Sequence, residues 1–219
     1  MNTSPLTVDA KTSRPVRAQS WPWWQATPGY QRRNLRWNPF GEAPLRELGE
    51  MAIVEEGALD VAPFQPLQIM APAGHGKTTH LLALQARHRG AIYEYVPVEG
   101  RDFRTRPTSM QLFLLDEAQR VNRRQLRRLF ASQSLLALGT HTDLQPYCRH
   151  PLRTLRIEAL SLAKLRAIVS ARLSWARADP GRPVPTIDDS RLSLLLQSHA
   201  ANLRAILEAL YDWFQHVEM

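Results

Sequence analysis

Residues Ala71-Pro72-Ala73-Gly74-His75-Gly76-Lys77-Thr78 bring two glycines, one ammonium and one hydroxyl into a single short stretch, a set of groups suited to holding phosphate. Glycines at 74 and 76 let backbone N–H groups turn inward and approach phosphate oxygens with no Cβ in the way. The compact ammonium of Lys77 can bridge the terminal phosphates of a nucleotide. The Thr78 hydroxyl can ligate Mg²⁺, and Thr79 follows it into a helix. Composition sharpens the inference: lysine stands only at positions 11, 77 and 164, and arginine supplies the other 25 of 28 basic residues. A lysine here is unexpected from composition and expected from chemistry, because the broad guanidinium fork would not fit between phosphate oxygens. An accidental Gly-Lys-Thr turn is the alternative. The strand before the loop and the helix after it favour the phosphate site, and the helix N-terminus adds partial positive charge.

A second group of chemical residues closes the apolar run Leu112-Phe113-Leu114-Leu115. A buried strand ending at Asp116 can place that carboxylate beside the phosphate loop to hold the water shell of Mg²⁺. Glu117, one residue on, can polarise an attacking water. In isolation the pair would read as an acidic helix start; following a phosphate loop, it reads as a metal and base pair. A third group closes Leu135-Leu136-Ala137-Leu138-Gly139, where Thr140, and after it His141, can reach the γ-phosphate or the attacking water. A plain Gly-Thr turn is the competing reading.

The elements that must position these residues alternate. Strands are expected at 67–70, 91–98, 111–115, 134–138 and 154–158, with helices over 44–59, 78–88 and 121–130; such alternation implies a parallel sheet covered on both faces. After Ala159 three helical stretches follow (161–178, 188–198 and 201–216), the first two separated by Pro180-Gly181-Arg182-Pro183-Val184-Pro185. The chain divides into an arm (1–37) with Pro5, Pro15, Pro22 and Pro28, a core (38–159) and an all-helical lid (160–219). About a dozen residues separate the second and third strands, too few for a full crossover helix. The segment 99–107 is therefore read as a trimmed crossover.

Phosphate loop, Asp-Glu strand end, polar strand end and helical lid, in this order, resemble the AAA+ P-loop ATPases over residues 38–216. The likeness is greatest to compact members acting in transposition, replication loading and secretion. The resemblance implies ATP and Mg²⁺ as cofactors, and an α/β P-loop NTPase fold: a parallel five-stranded sheet flanked by helices, with a small helical C-terminal lid. Asn38-Pro39-Phe40 resembles the segment that precedes the first helix, so Phe40 is expected near the adenine. His199-Ala200-Ala201-Asn202-Leu203-Arg204 resembles the lid motif whose arginine senses the γ-phosphate, which would be Arg204. Arg149 or Arg153 falls where the family carries an arginine finger that completes a neighbouring subunit's site. Ala71 departs from the usual glycine at the loop's first position.

The formal net charge of +8 and pI near 10.3 suit acidic partners. Around the 121–130 helix, Arg120, Arg123, Arg124, Arg127 and Arg128 are left outside the apolar stripe. They could grip DNA phosphates, pair with an acidic protein partner, or form a solvated face. Trp21, Trp23, Trp24 and Trp37, with Arg32, Arg33 and Arg36, could stack single-stranded bases or pack on the core or a partner groove. Membrane-surface insertion has no amphipathic helix behind it. No apolar run approaches the roughly 20 residues of a membrane span. With the lone Cys148 and no secretory leader pattern, a cytoplasmic setting is expected. The expected function is an ATPase controlling contact with DNA, a protein partner or its own copies. A nucleotide-dependent adaptor with little turnover is the alternative. A small-molecule kinase would need a mobile lid between the second and third strands, where the chain is shortest.

Overall fold

Five strands, β1 (Leu67–Met70), β2 (Ile92–Tyr95), β3 (Leu112–Asp116), β4 (Leu135–Thr140) and β5 (Arg153–Arg156), form one sheet in the order β2-β3-β4-β1-β5. Every pairing is parallel. The structure, a computed structural model, describes residues 28–108, 111–132 and 134–216. Burial on both faces explains why β1, β3 and β4 carry so little polar sequence. The edge strand β5 instead alternates half-buried Arg153 and Leu155 with exposed Thr154 and Arg156. One face packs Ile69, Leu114 and Ala137 on Leu81 and Leu84 of helix α3 (Lys77–Arg87). The other packs Phe113, Leu136 and Leu138 on Leu126 and Leu129 of α4 (Arg123–Ala131). From β1 the chain runs to the far edge, fills inward to β4, then crosses to β5. The C-terminal end of β1 is therefore a topological switch point, where open α/β sheets bind ligands.

The helix expected over 44–59 is only Leu45–Glu50 (α2). Gly49 brings α2 so close to α3 that a Cβ there would lie 2.3 Å from the Leu82 carbonyl. The chain beyond α2 turns away, and the Glu55 N–H donates to His80 Nε2 (3.1 Å). The apolar spacing out to Val54 reflects this tertiary packing rather than a longer helix. Between β2 and β3 the described residues contain no helix. Glu94 of β2 instead accepts the N–H groups of Arg104 (2.6 Å) and Thr105 (3.0 Å), holding the trimmed crossover flat.

Helices α5 (Leu162–Ala176), α6 (Asp189–Ser198) and α7 (Leu203–His216) form the helical C-terminal part. Ser161 and Asp188 cap α5 and α6 by accepting the N–H groups of Lys164 and Arg191. The chain from α1 (Pro28–Arg32) onward packs into the same cluster: Leu35 and Phe40 are buried with Leu165, Leu173, Leu210 and Phe214. Buried Asn34 donates to the carbonyls of Asp179 (2.9 Å) and Arg182 (2.8 Å), pinning the turn after α5. Trp37 lies 5.1 Å from Trp175, ring to ring, so it packs on the lid. Trp21, Trp23 and Trp24 lie outside the described residues.

Candidate nucleotide site

The loop from Ala71 to Gly76 joins β1 to α3, with Gly74 and Gly76 at φ of 80° and 90°, the left-handed region that residues with a Cβ avoid. The loop's backbone is thus shaped before any phosphate arrives. Lys77 is buried, and its ammonium donates to the carbonyls of Ala71 (2.9 Å) and Pro72 (3.0 Å). Burial pushes its pKa down, against the opposing pull of the Glu117 and Asp116 carboxylates. His75 stays at the mouth, its Nδ1 2.9 Å from the Ala73 carbonyl.

Asp116 ends β3 directly under this loop. Its Oδ2 accepts the Thr78 hydroxyl at 2.6 Å and the Tyr93 hydroxyl at 2.9 Å, while Oδ1 accepts the Glu117 N–H at 3.0 Å. Tyr93 was not singled out in the sequence; burial, and then the neighbouring Asp116 charge, hold its phenol protonated well above the usual range. Gly139 on β4 makes room, since a Cβ there would sit 2.8 Å from Asp116 Oδ1. Glu117 adopts φ 59° and ψ 39°, strained for a residue with a side chain. Its Oε2 accepts from Gln119 Nε2 (2.8 Å) and Arg120 Nη2 (2.9 Å) and lies 3.3 Å from His141 Nε2.

Thr140 and His141 sit in different surroundings. Thr140 is fully buried, and its hydroxyl donates to the Thr142 carbonyl (2.8 Å) while accepting the Thr142 N–H (3.1 Å). That hydroxyl is consumed by the turn. His141 instead stands between the two key residues, with Nδ1 3.1 Å from Lys77 Nζ and Nε2 facing Glu117. The tautomer that suits both carries its proton on Nε2 and accepts from Lys77.

The lid meets the loop at Gly74. The Arg204 N–H donates to the Gly74 carbonyl (3.3 Å), and Asn202 fills the space where a Gly74 Cβ would be. The Arg204 guanidinium is exposed and close enough to Lys77 to contribute to lowering its pKa. Beside Gly76 and Thr79 a largely apolar cleft opens between Ile53, Ile168, Leu203 and Leu207. His80 braces it: its Nδ1 donates to the Gly76 carbonyl (2.9 Å), and burial lowers its pKa, keeping the ring neutral. Phe40 does not line this cleft. It is buried edge-on against Phe214, 5.1 Å away, and the adjoining carbonyls of Pro39 and Gly41 accept from Arg172, whose pKa burial pushes down to about 10. Arg172 does line the cleft, and the 39–41 segment meets it through those two carbonyls.

Two further expectations change. The Arg153 guanidinium donates through Nη2 to the carbonyls of Gly57 (2.6 Å) and Asp60, tying β5 to the loop that precedes β1 rather than projecting as a finger. Arg149 is exposed. Arg120 does not belong to a free basic face: besides Glu117 it holds the Tyr95 hydroxyl (3.0 Å) and the Val96 carbonyl (2.7 Å). Arg123, Arg124, Arg127 and Arg128 remain exposed on α4.

The donor set fits Mg²⁺ bound through a nucleotide. Thr78 and Asp116 supply hard oxygens at one point, and Mg²⁺ usually takes most of its remaining ligands from phosphate and water. Among the described residues no three His, Cys, Asp or Glu side chains could hold a metal by themselves. No helix among them is long and apolar enough to cross a membrane.

No family model matches the chain, and no curated protein matches it. Among solved structures it is similar to Cdc6p from Pyrobaculum aerophilum, at 13% identity and a TM-score of 0.51. The alignment covers 81% of this chain and 64% of that one, so the chain spans under two thirds of its neighbour's length. Looser likenesses are to NtrX from Brucella abortus (15% identity, TM-score 0.48, 77% of this chain and 53% of that) and to a RuvB variant from Thermotoga maritima (15%, 0.44, 67% and 53%). The chain has an AAA+ ATPase-like fold: a parallel five-stranded P-loop sheet flanked by helices, with a helical C-terminal part.

Proposed function

We propose that this chain is an Mg-ATP-dependent ATPase that uses nucleotide binding and hydrolysis to control its contact with DNA or a protein partner. The observation that carries this reading is the 2.6 Å contact between Thr78 and Asp116 at the base of a phosphate-shaped loop, with Lys77 beside it. ATP would lie over the backbone amides of residues 73–78, its base in the cleft beside Thr79. Lys77 would exchange the Ala71 and Pro72 carbonyls for phosphate oxygens. Mg²⁺, held by Thr78 and through water by Asp116, would offset the charge that builds on the phosphates. Glu117 would accept the proton of the attacking water, His141 would hold Lys77 and Glu117 in register, and Arg204 would swing onto the γ-phosphate. Arg149 is the remaining finger candidate for a second copy, and the α4 arginines are the contacts for DNA or an acidic partner. A cytoplasmic setting goes with this reading.

One observation favours the alternative, a nucleotide-holding adaptor. Glu117 Oε2 is already paired with Arg120, which the Tyr95 hydroxyl and the Val96 carbonyl hold in place, and a base so engaged turns over slowly until a partner frees it. Phosphate release by wild type and Glu117→Gln, with and without DNA, separates the two. An ATPase loses turnover by about two orders of magnitude in the variant while still binding ATP. Equal release from both proteins under every condition would leave only the adaptor.

A further inference from the structure

At the end of the sheet opposite the nucleotide site, a groove with about 1730 Å³ of empty space, counted to its open mouth, runs past the N-terminal ends of three strands. Pro66 precedes β1, Ser134 precedes β4, and Arg149 and His150 precede β5; the end of α4 forms the wall. All five strands are parallel, so these ends point away from the tips that carry the phosphate loop and Asp116. The lining interleaves rings and cations: Phe64, Phe130 and Tyr147 with Arg127 and Arg149, and no lining residue is a carboxylate.

Phe64 is the unusual member. The residue is 67% exposed, and its backbone sits at φ 62°, a state disfavoured for a bulky residue with a Cβ. A ring displayed in this way adds little to the fold. Outside the groove, Arg127 continues into Arg123, Arg124 and Arg128, all exposed along α4.

We propose that this groove binds a segment of single-stranded nucleic acid, with bases stacked on Phe64 and Tyr147 and phosphates on Arg127 and its neighbours along α4. Stacking needs a flat π-face, which unpaired bases present and a duplex hides. An acidic peptide would satisfy the arginines and leave the projecting Phe64 ring without a partner. The chain's own first 27 residues are a poor occupant, because Lys11, Arg14 and Arg17 outnumber Asp9 and the groove itself is basic. The assignment rests on the nucleic-acid half of the function proposed above and is independent of ATP hydrolysis.

The test is fluorescence anisotropy of a labelled oligothymidylate with the full chain and the variants Phe64→Ala, Tyr147→Ala and Arg127→Glu. Melting temperatures and binding of a fluorescent ATP analogue are measured in the same samples. Each ring removed should weaken the oligonucleotide about tenfold. Arg127→Glu should also lower the salt slope by about one or more, with ATP binding unchanged. The proposal is overturned if the folded variants bind oligothymidylate like wild type, if a duplex of the same length binds better, or if a polyglutamate peptide binds and oligothymidylate does not. Loss of ATP binding with oligothymidylate binding and its ring dependence intact would remove the nucleotide reading and support the groove.

Discussion

Gly139→Ala adds one methyl group to β4 and tests whether the Asp116 carboxylate is held where the proposed metal chemistry needs it. A strand residue normally gains roughly 0.5–1 kcal/mol on Gly→Ala substitution, because glycine loses more backbone freedom on folding. Here the new Cβ would meet Asp116 Oδ1 at 2.8 Å and Leu81 Cδ1 at 3.1 Å. Relieving that overlap must move the carboxylate, since β4 is locked between β1 and β3. Overpacking of this kind costs about 1–3 kcal/mol, so the net loss at mid-range is about 1 kcal/mol. For a chain of this length, that is a fall in Tm of roughly 2–4 °C. The same displacement lengthens the 2.6 Å contact to Thr78 and the 2.9 Å contact to Tyr93. ATP affinity should therefore fall about tenfold in Mg²⁺, equivalent to about 1.4 kcal/mol. In EDTA it should barely change, because the loop amides and Lys77 are untouched. Calorimetric melting and titration of a fluorescent ATP analogue, each with and without Mg²⁺, read both effects. Gly29→Ala is the control, since no atom lies within 4 Å of the added carbon. Equal Mg²⁺ dependence in wild type and Gly139→Ala would refute the metal role given to Asp116.

Lys77 sets a pH dependence whose sign follows from burial. Its folded pKa is depressed below the ordinary 10.5, so near the alkaline end the unfolded chain binds the proton more tightly. The Lys77 contribution to stability therefore rises as pH climbs toward 10.5, while affinity for triphosphate, which needs the ammonium, falls. Wild type minus Lys77→Met, followed by denaturant unfolding across that window, should show the rise; a flat difference would contradict the burial argument. His141→Ala should lower kcat more than it raises KM, because it releases Lys77 and Glu117 together. Thr140→Val should cost about 1–2 kcal/mol of stability through its lost turn bonds and spare kcat. A folded Thr140→Val protein with no turnover would return the strand-end role to Thr140.

The parts legible in the sequence are those whose physics is local. The strand, the glycine pair and the helix start around Lys77 lie within one short stretch, and Asp116 closes an apolar run only a buried strand would carry. Residues that join across the sheet left no such trace. Tyr93 reaches Asp116 because β2 pairs with β3 in a parallel register that places Tyr95 opposite Asp116. His80 reads as one more helix residue until Glu55 is brought against it. The inward turn of Arg120 escapes a pattern reading that begins one helix at Val121. The chain instead makes a 3-10 turn over Ala118–Arg120 and restarts at α4 behind the Asn122 cap, which sends Arg120 inward. Backbone carbonyls are invisible to residue patterns, so the contacts of Gly57 and Asp60 with Arg153 left no trace in the sequence.

These non-local contacts converge on one consequence. Lys77 is satisfied by two loop carbonyls and His141, and Glu117 by Gln119, Arg120 and His141. Phosphate can replace the carbonyls at Lys77 with little penalty, because a charge-assisted bond of greater strength replaces each one lost. Water offers Glu117 no such exchange: to act as a base it must give up Arg120, which stays anchored to Tyr95 and Val96. Binding should therefore be easier for this chain than turnover. A ligand that draws Arg120 off Glu117 would raise kcat without changing ATP affinity.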